Sequence, residues 1–157
     1  LNSRDDHGRT GFMAACCNGH KDVVQLLLDH SQSIELNARD NNGGTALIGA
    51  CYWAHKDVVQ LLLDNFKRIE LNARDNHGGT ALMCACIQGH KDVVQLLLDN
   101  FDIDLNVRDN TGRTALMIAS QRGYQDIVQI LARTKLQKHA KATRTRRKHK
   151  QPEAIHD

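Results

Sequence analysis

Long apolar runs are missing from this 157-residue sequence. No stretch approaches the roughly 18 consecutive apolar residues that a membrane-spanning helix needs, and the first ten residues do not resemble a signal peptide. The composition, with 41% apolar and 25% charged residues, is typical of a folded, water-soluble domain. We therefore expect an intracellular protein without a membrane partner, located in the cytoplasm or also in the nucleus.

Signs of catalysis or metal binding are equally scarce. The five cysteines have no paired two-residue gaps, and no histidine pair stands at zinc spacing. The Gly43-Gly44 turn and its relatives lack the lysine of a phosphate-binding loop. No unique cluster of nucleophile, base and orienting residue is visible, because the Thr, His and Asp residues recur with a fixed period. The sequence predicts a non-enzymatic protein with no cofactor, no metal and no small-molecule substrate.

Repetition is what the sequence does contain. The string HKDVVQLLLD occurs three times without change, at residues 20–29, 55–64 and 90–99. Strings of the type LNARDN begin at Leu1, Leu36, Leu71 and Leu105. A period of about 35 residues is typical of a solenoid, whose units bury their apolar faces against one another. We expect four units, at residues 1–35, 36–70, 71–104 and 105–133, and a C-terminal extension at 134–157. The chain starts without Met at a unit boundary, and we expect further repeats before Leu1.

Each unit is predicted to form a helical hairpin. In the second unit, Gly43-Gly44 indicates a turn, and Thr45 stands where the first helix begins. Ala54 stands where the other units have glycine, the position of a left-handed residue between two helices, and a positive φ there costs alanine about 1 kcal/mol. Asp57 lies in the first turn of the second helix, where a carboxylate interacts favourably with the helix dipole. A wide apolar stripe of Val and Leu follows it, as expected of a helix packed between neighbours.

The opening motif of the units is specific. Asp40, Gly43, Thr45 and Leu47 match the pattern Asp-x-x-Gly-x-Thr-Pro-Leu-His, and Leu61–Leu63 match an apolar Leu-Leu-Leu helix. With these residues, which have counterparts in all four units, residues 1–133 resemble ankyrin repeats. The resemblance implies an all-α fold, an ankyrin-repeat solenoid of stacked helix-turn-helix units with β-turn finger loops.

Two departures from the family pattern concern how the units are joined. The final His of the motif is replaced by Met or Ile in every unit, which leaves open what ties successive turns together. The glycine that usually follows the second helix is also absent. We expect Asn65 and Asn100 to take its left-handed position, with Phe66 and Phe101 as apolar seals beyond them.

The resemblance also implies a function, the binding of another protein on a concave surface. That surface is lined by the turn tips and by the outer residues at the end of each first helix. The turn tips are Asp6, His7, Arg9, Asn41, Asn42, Asn76, His77, Asn110, Thr111 and Arg113. The helix ends are Cys17, Asn18, Tyr52, Trp53, Ile87, Gln88, Gln121 and Arg122.

One pair in this set stands out by its variation. The second and third units are nearly identical, yet Tyr52-Trp53 in the former becomes Ile87-Gln88 in the latter. Trp53 is the only tryptophan, and Tyr and Trp are enriched in binding hot spots. We predict an apolar centre of these aromatics and Ile87, flanked by Arg9, Arg113 and Arg122. The alternative is that Trp53 packs against the neighbouring turn.

Residues that recur with the period are expected to serve the stack. Cys16, Cys51 and Cys86 share one position, so they should lie about 10 Å apart, beyond disulfide reach. We interpret them as reduced core residues. His20, His55 and His90 are separated in the same way and are interpreted as structural residues at the turn between the helices.

The C-terminal extension differs from the units in charge. Residues 1–132 carry 12 basic and 16 acidic side chains, whereas residues 133–157 carry nine basic and two acidic ones. Residues 134–157 are expected to continue the last helix or to be disordered. Three interpretations of the basic residues remain open: a solvated tail, a signal for a nuclear import receptor, and a weak, salt-sensitive nucleic-acid contact. The basic cluster consists of Arg144, Arg146, Arg147, Lys148 and Lys150. An alternative function is therefore a nuclear or nucleic-acid-associated factor.

Overall fold

Four helical hairpins follow one another along the chain. The computed structural model describes residues 2–30, 32–100 and 102–148. The hairpins consist of α1 (Gly11–Cys17) with α2 (Lys21–His30), α3 (Ala46–Tyr52) with α4 (Lys56–Asp64), α5 (Ala81–Gln88) with α6 (Lys91–Asp99), and α7 (Ala115–Arg122) with α8 (Gln125–Lys148). One turn of 3₁₀ helix, Phe66–Arg68, follows α4. No β-strand occurs in these ranges, and the predicted all-α repeat solenoid is confirmed.

A threonine starts the first helix of every hairpin, and Thr10, Thr45 and Thr80 are buried. The hydroxyl oxygen of Thr45 accepts a hydrogen bond from the backbone N–H of Ile48, three residues into α3. Thr10, Thr80 and Thr114 make the same bond in α1, α5 and α7. Such a cap satisfies an N–H that has no partner within the helix, and it contributes about 1 kcal/mol. The predicted helix start at Thr45 is therefore confirmed.

The two helices of each hairpin are joined by a residue with positive φ. Gly19, Gly89 and Gly123 have φ values of 70°, 73° and 76°. Ala54 has a φ of 59°, and it is the one residue other than glycine with a positive φ in the described ranges. The prediction that alanine accepts a left-handed conformation here is confirmed.

Asn65 and Asn100, the residues that directly follow α4 and α6, are not left-handed. Asn65 has a φ of −101° and Asn100 a φ of −86°, so the expectation that they replace the family's glycine is wrong. The Asn65 side chain instead donates to the carbonyl of Leu61, and the chain turns through the 3₁₀ segment. The Asn100 side-chain oxygen accepts from the N–H of Asp102, which closes a local turn. Phe66 is 39% exposed, and Phe101 lies outside the described residues.

The core lies between two rows of helices. Each first helix packs against the first helix of the next hairpin, and each second helix does the same. Val58 and Val59 of α4 are almost completely buried, as are their counterparts in α6. In α2, which ends the row, Val23 is 47% and Leu26 57% exposed. The apolar stripe is thus wide because an inner helix needs contact surfaces on both sides.

The cysteines belong to this core. All five are free thiols, and four of them, Cys16, Cys51, Cys84 and Cys86, are buried. Burial raises the pKa of Cys84 and of Cys86 to about 12, because a thiolate loses its hydration there. These thiols are consequently neutral at physiological pH and pack as small apolar side chains.

Hydrogen bonds between side chains and carbonyls tie successive turns together. Asn41 donates from its backbone N–H to the carbonyl of His7 and from its side chain to the carbonyl of Asp6. Asn76 and Asn110 repeat the side-chain bond one turn further along each time. These asparagines perform the task that the missing motif histidine left open.

Two further ladders join the hairpins. Arg39 donates to the carbonyl of Arg74, and Arg74 donates to the carbonyl of Arg108. Nε2 of His55 donates to the carbonyl of Cys17 at 2.8 Å, and Nε2 of His90 to that of Tyr52 at 2.9 Å. His55 and His90 therefore link the second and third hairpins to the hairpin before each of them.

The last helix continues well beyond the fourth unit. It reaches Lys148, so residues 134–148 are helical. Lys138 on this helix donates to the carbonyl of Ile103, which holds the extension against the loop before the fourth unit. Within the described ranges, no helix combines the length and apolar character needed to span a membrane. Residues 149–157 lie outside the description.

Candidate binding surface

A groove of about 540 Å³ runs along the row of first helices and the turns that precede them. All four units contribute to it, from Cys17 at the end of α1 to Ile118 in α7. Its floor comes from α3 and α5, including Ile48, Met83 and Ile87. The groove is the region in which the resemblance placed a binding surface.

Two exposed aromatic rings stand at the end of α3 and line this groove. Tyr52 is 40% and Trp53 61% exposed. Their ring centroids are 5.0 Å apart with an interplanar angle of 77°, an edge-to-face contact. Because Trp53 remains mostly exposed, the alternative that it is packed away against a neighbouring turn does not describe this structure.

An aspartate organises each turn beside the groove. Oδ1 of Asp40 accepts hydrogen bonds from the backbone N–H groups of Asn42 and Gly44, at 2.9 and 2.8 Å. Asp75 makes the same pair of bonds with His77 and Gly79. Asp5 and Asp109 do so in the outer units. One carboxylate oxygen is therefore occupied by the turn in every unit.

The second carboxylate oxygen distinguishes the outer units from the inner ones. Nε and Nη2 of Arg9 both lie 2.9 Å from Oδ2 of Asp5. Arg113 holds Oδ2 of Asp109 in the same way, at 2.9 and 2.8 Å. Gly44 and Gly79 stand at the corresponding position in the inner units, and Oδ2 of the inner aspartates has no hydrogen-bond or ion-pair partner among the described residues.

The pKa values reflect this environment. Burial disfavours the charged form of Asp109, but hydrogen bonds from the Arg113 backbone, the Thr111 hydroxyl and the Arg113 side chain outweigh it and lower the pKa. The pKa of Cys17, by contrast, is raised mainly by burial; nearby Arg9 counteracts this, and the charge of Asp40 adds to it. Cys17 therefore adds a neutral, half-buried thiol to the lining.

The structure brings some of the predicted binding residues together. Those that line the groove are Arg9, Cys17, Asn42, Tyr52, Trp53, His77, Ile87 and Arg113. Those outside its lining are Asp6, His7, Asn18, Asn41, Asn76, Gln88, Asn110, Thr111, Gln121 and Arg122. The side chains of Asn41, Asn76 and Asn110 are engaged in the ladder between turns, so the structure gives them a stacking role. Binding through the outside residues stays a prediction.

Sequence reasoning missed the inner aspartates, Asp40 and Asp75. Both are half-buried and line the groove, yet an aspartate stands at this place in every unit and was therefore assigned to the turn alone. A signal was available four residues later, where the outer units have arginine and the inner units glycine. The floor residues Ile48 and Met83 were missed because their position is also occupied by apolar residues in the other units.

The basic cluster lies at the end of α8, far in sequence from the residues that line the groove. Arg144, Arg146 and Arg147 are exposed on that helix. The side chain of Lys148 and the whole of Lys150 lie outside the described residues. Import and nucleic-acid contact therefore stay predictions. In the described part of the chain, no group of three or more His, Cys, Asp or Glu residues could hold a metal ion.

Comparison with known proteins identifies the architecture. A family model of ankyrin repeats, which describes three copies, matches residues 1–75 and again residues 67–143. A comparison with curated protein sequences finds no match. Two overlapping matches across most of the chain agree with the capped hairpins, the left-handed linkers and the tied turns, and the chain belongs to the ankyrin-repeat family.

Proposed function

We propose that this chain is a non-enzymatic binding module that holds a segment of a partner protein in the groove between its turns and first helices. Ankyrin repeats in general mediate protein–protein interactions. The observation that carries the proposal is the exposure of Tyr52 and Trp53, side by side, on the groove lining. Aromatic residues of this kind dominate binding energies because they offer a large rigid contact area.

The contribution of Trp53 follows from its exposed area. A tryptophan side chain has about 250 Å² to bury, so its 61% exposed fraction is about 150 Å². Covering that area contributes at most about 4 kcal/mol at about 25 cal/mol per Å². Alanine retains part of the contact. We therefore expect Trp53→Ala to weaken binding by about 2 kcal/mol or more, roughly 30-fold in Kd.

The test begins with selection of binders to the full chain from a phage-displayed library of random twelve-residue peptides. The Kd of each selected peptide is then measured for the wild-type chain, Trp53→Ala and a control, Leu26→Ala. Leu26 is 57% exposed on α2, outside the groove lining, so its truncation removes a comparable apolar surface elsewhere. The melting temperature of Trp53→Ala should remain within about 2 °C of wild type, because the ring is mostly exposed.

Two outcomes would contradict the proposal. Equal affinity of the wild-type chain and Trp53→Ala for all selected peptides would exclude the groove centre as the binding site. A large fall in the melting temperature of Trp53→Ala would show that the ring stabilises the fold. The loss of affinity would then be a consequence of unfolding.

A further inference from the structure

The inference concerns which kind of segment the groove accepts, and it rests on the proposed function. The outer units neutralise their turn aspartates with Arg9 and Arg113. The inner units do not, because Gly44 and Gly79 offer no cation. The result is a groove whose two middle units contribute carboxylates that have no cationic partner among the described residues, in the same lining as the aromatic pair.

We propose that the groove binds a segment of a partner protein that carries one basic side chain on each side of an apolar one. Asp40 and Asp75 each form an ion pair with one of the two cations. An occupant that covers these carboxylates removes water from their Oδ2 atoms. A buried carboxylate without a partner is strongly unfavourable, so an acidic or purely apolar segment is rejected. A lysine or arginine supplies the missing partner.

The chain itself shows the geometry of this pairing. In the outer units, one guanidinium places two N–H groups on a single Oδ2, because Oδ1 is already used by the turn. In the inner turns Oδ1 of the aspartate accepts the same backbone hydrogen bonds, and glycine stands where the outer turns have the arginine that binds Oδ2. An arginine or lysine of the partner can therefore occupy the place that the side chains of Arg9 and Arg113 fill in their own units.

The spacing of the two carboxylates defines the spacing of the cations. Asp40 and Asp75 belong to adjacent units, and adjacent helices pack about 10 Å apart. An extended chain advances about 3.3 Å per residue and points successive side chains to opposite faces, so the basic residues should stand about four positions apart, with the apolar residue midway between them on the same face and the long basic side chains adjusting to the carboxylate spacing. The apolar residue between them would contact Trp53 and Ile87, which line the same groove.

The experiment uses a positional library of capped octapeptides and the full chain. At each position the library fixes arginine, lysine, glutamate, leucine or citrulline, which is a neutral isostere of arginine. Arginine or lysine should be selected at two positions about four apart, with leucine midway between them. The best peptide should bind at least about tenfold more tightly than its citrulline version.

Matched variants of the protein then show which of its residues cause the preference for arginine. Asp40→Asn with Asp75→Asn keeps Oδ1 for the turn and removes both charges, and it should erase the preference for arginine over citrulline. Gly44→Arg with Gly79→Arg copies the outer units into the inner ones and should erase it too. The second pair should fold, because the same turn already accommodates Arg9 and Arg113.

The control pair is Asp22→Asn with Asp57→Asn. It changes the net charge by the same amount but removes exposed carboxylates on the second helices, outside the groove lining, so the preference for arginine should change less than about threefold. Circular dichroism and melting curves check that each variant is folded.

Several results would overturn the inference. Selection of neutral or acidic peptides would do so, as would an equal loss of preference in the control pair. Self-association that disappears when residues 133–157 are removed would assign the groove to the basic extension of a second copy. Peptides that need Trp53 but bind equally with arginine and citrulline would remove this inference and leave the proposed function standing. Binding that is indifferent to Trp53→Ala would remove the proposed function itself.

Discussion

Replacement of Ala54 by glycine should stabilise the protein. Ala54 links α3 to α4 with a φ of 59°, where the other three hairpins have glycine. An L-residue in this region is strained by about 1–2 kcal/mol. Glycine relieves the strain but gains freedom in the unfolded chain, which costs about 0.4–1 kcal/mol. Ala54 is half-buried against the core, so loss of its methyl group subtracts slightly more. The net expectation is a gain of about 0.5–1 kcal/mol.

The gain can be measured by urea unfolding followed by circular dichroism. For a chain of 157 residues, about 1 kcal/mol corresponds to a rise of roughly 2–4 °C in melting temperature. The midpoint in urea should rise while the slope of unfolding free energy with urea stays the same, because the surface exposed on unfolding is unchanged.

The other linkers provide matched reverse substitutions. Gly123 has a φ of 76° and open space where a Cβ would stand, so Gly123→Ala introduces strain without a clash and, after the opposite change in the unfolded chain, should cost about 0.5–1 kcal/mol. Gly89 has a φ of 73°, and a Cβ there would stand 2.8 Å from the Tyr124 ring, so Gly89→Ala should cost clearly more. An unchanged or lower stability of Ala54→Gly would refute the reasoning, as would equal costs for the two glycine variants.

Two further predictions concern the stack and its turns. Val58→Ala should destabilise the protein by about 2 kcal/mol, since Val58 is 1% exposed. Val23 stands at the equivalent position of α2 and is 47% exposed, so Val23→Ala should change the stability by less than about 0.5 kcal/mol. Equal losses in urea unfolding would contradict the assignment of α2 to the end of the row. Asp109→Asn should weaken the dependence of stability on acid pH. Because the pKa of Asp109 is lowered in the folded state, its charged form contributes fully above the ordinary value of 3.8, and the contribution declines as the pH falls below that value. The gap in unfolding free energy between wild type and variant should therefore narrow as the pH falls from about 4, and a constant gap would argue against this reasoning.

The local structure of the hairpins could be predicted from single residues. Thr45 caps α3, Gly19, Gly89 and Gly123 are left-handed, and Ala54 follows them, because each of these features depends on the backbone preference of one residue and its near neighbours. The exit from α4 could not be predicted in this way. Asn65 had two local options, a left-handed φ or a side-chain bond to its own helix. It makes the side-chain bond, and a 3₁₀ turn follows.

Interactions between units were harder to predict than interactions within them. The period shows which residues repeat, but not which atoms of one copy meet those of the next. Asn41 was assigned to a partner surface because it lies at a turn tip, yet its side chain bonds the preceding turn. Gly43 shows the consequence of this close approach, since a Cβ there would stand 2.5 Å from the side-chain oxygen of Asn76. The recurrence of asparagine at this exposed position in successive units was therefore a sign of contact between the units.

The inner aspartates show the limit of treating repeated residues as structural. A turn aspartate has two oxygens, and the turn uses only Oδ1. The Arg9–Asp5 pair at Oδ2 is an exposed ion pair, and such pairs contribute little to stability. Replacement of the arginine by glycine in the inner units therefore leaves the turn and the stack intact. The same replacement changes the groove strongly, because within the described part of the chain it leaves a half-buried carboxylate without a cationic partner in the lining that Trp53 shares. A position that is nearly neutral for folding is where a repeat protein can vary its binding chemistry, and for this reason the recurring Asp40 carries information only when it is considered together with Gly44.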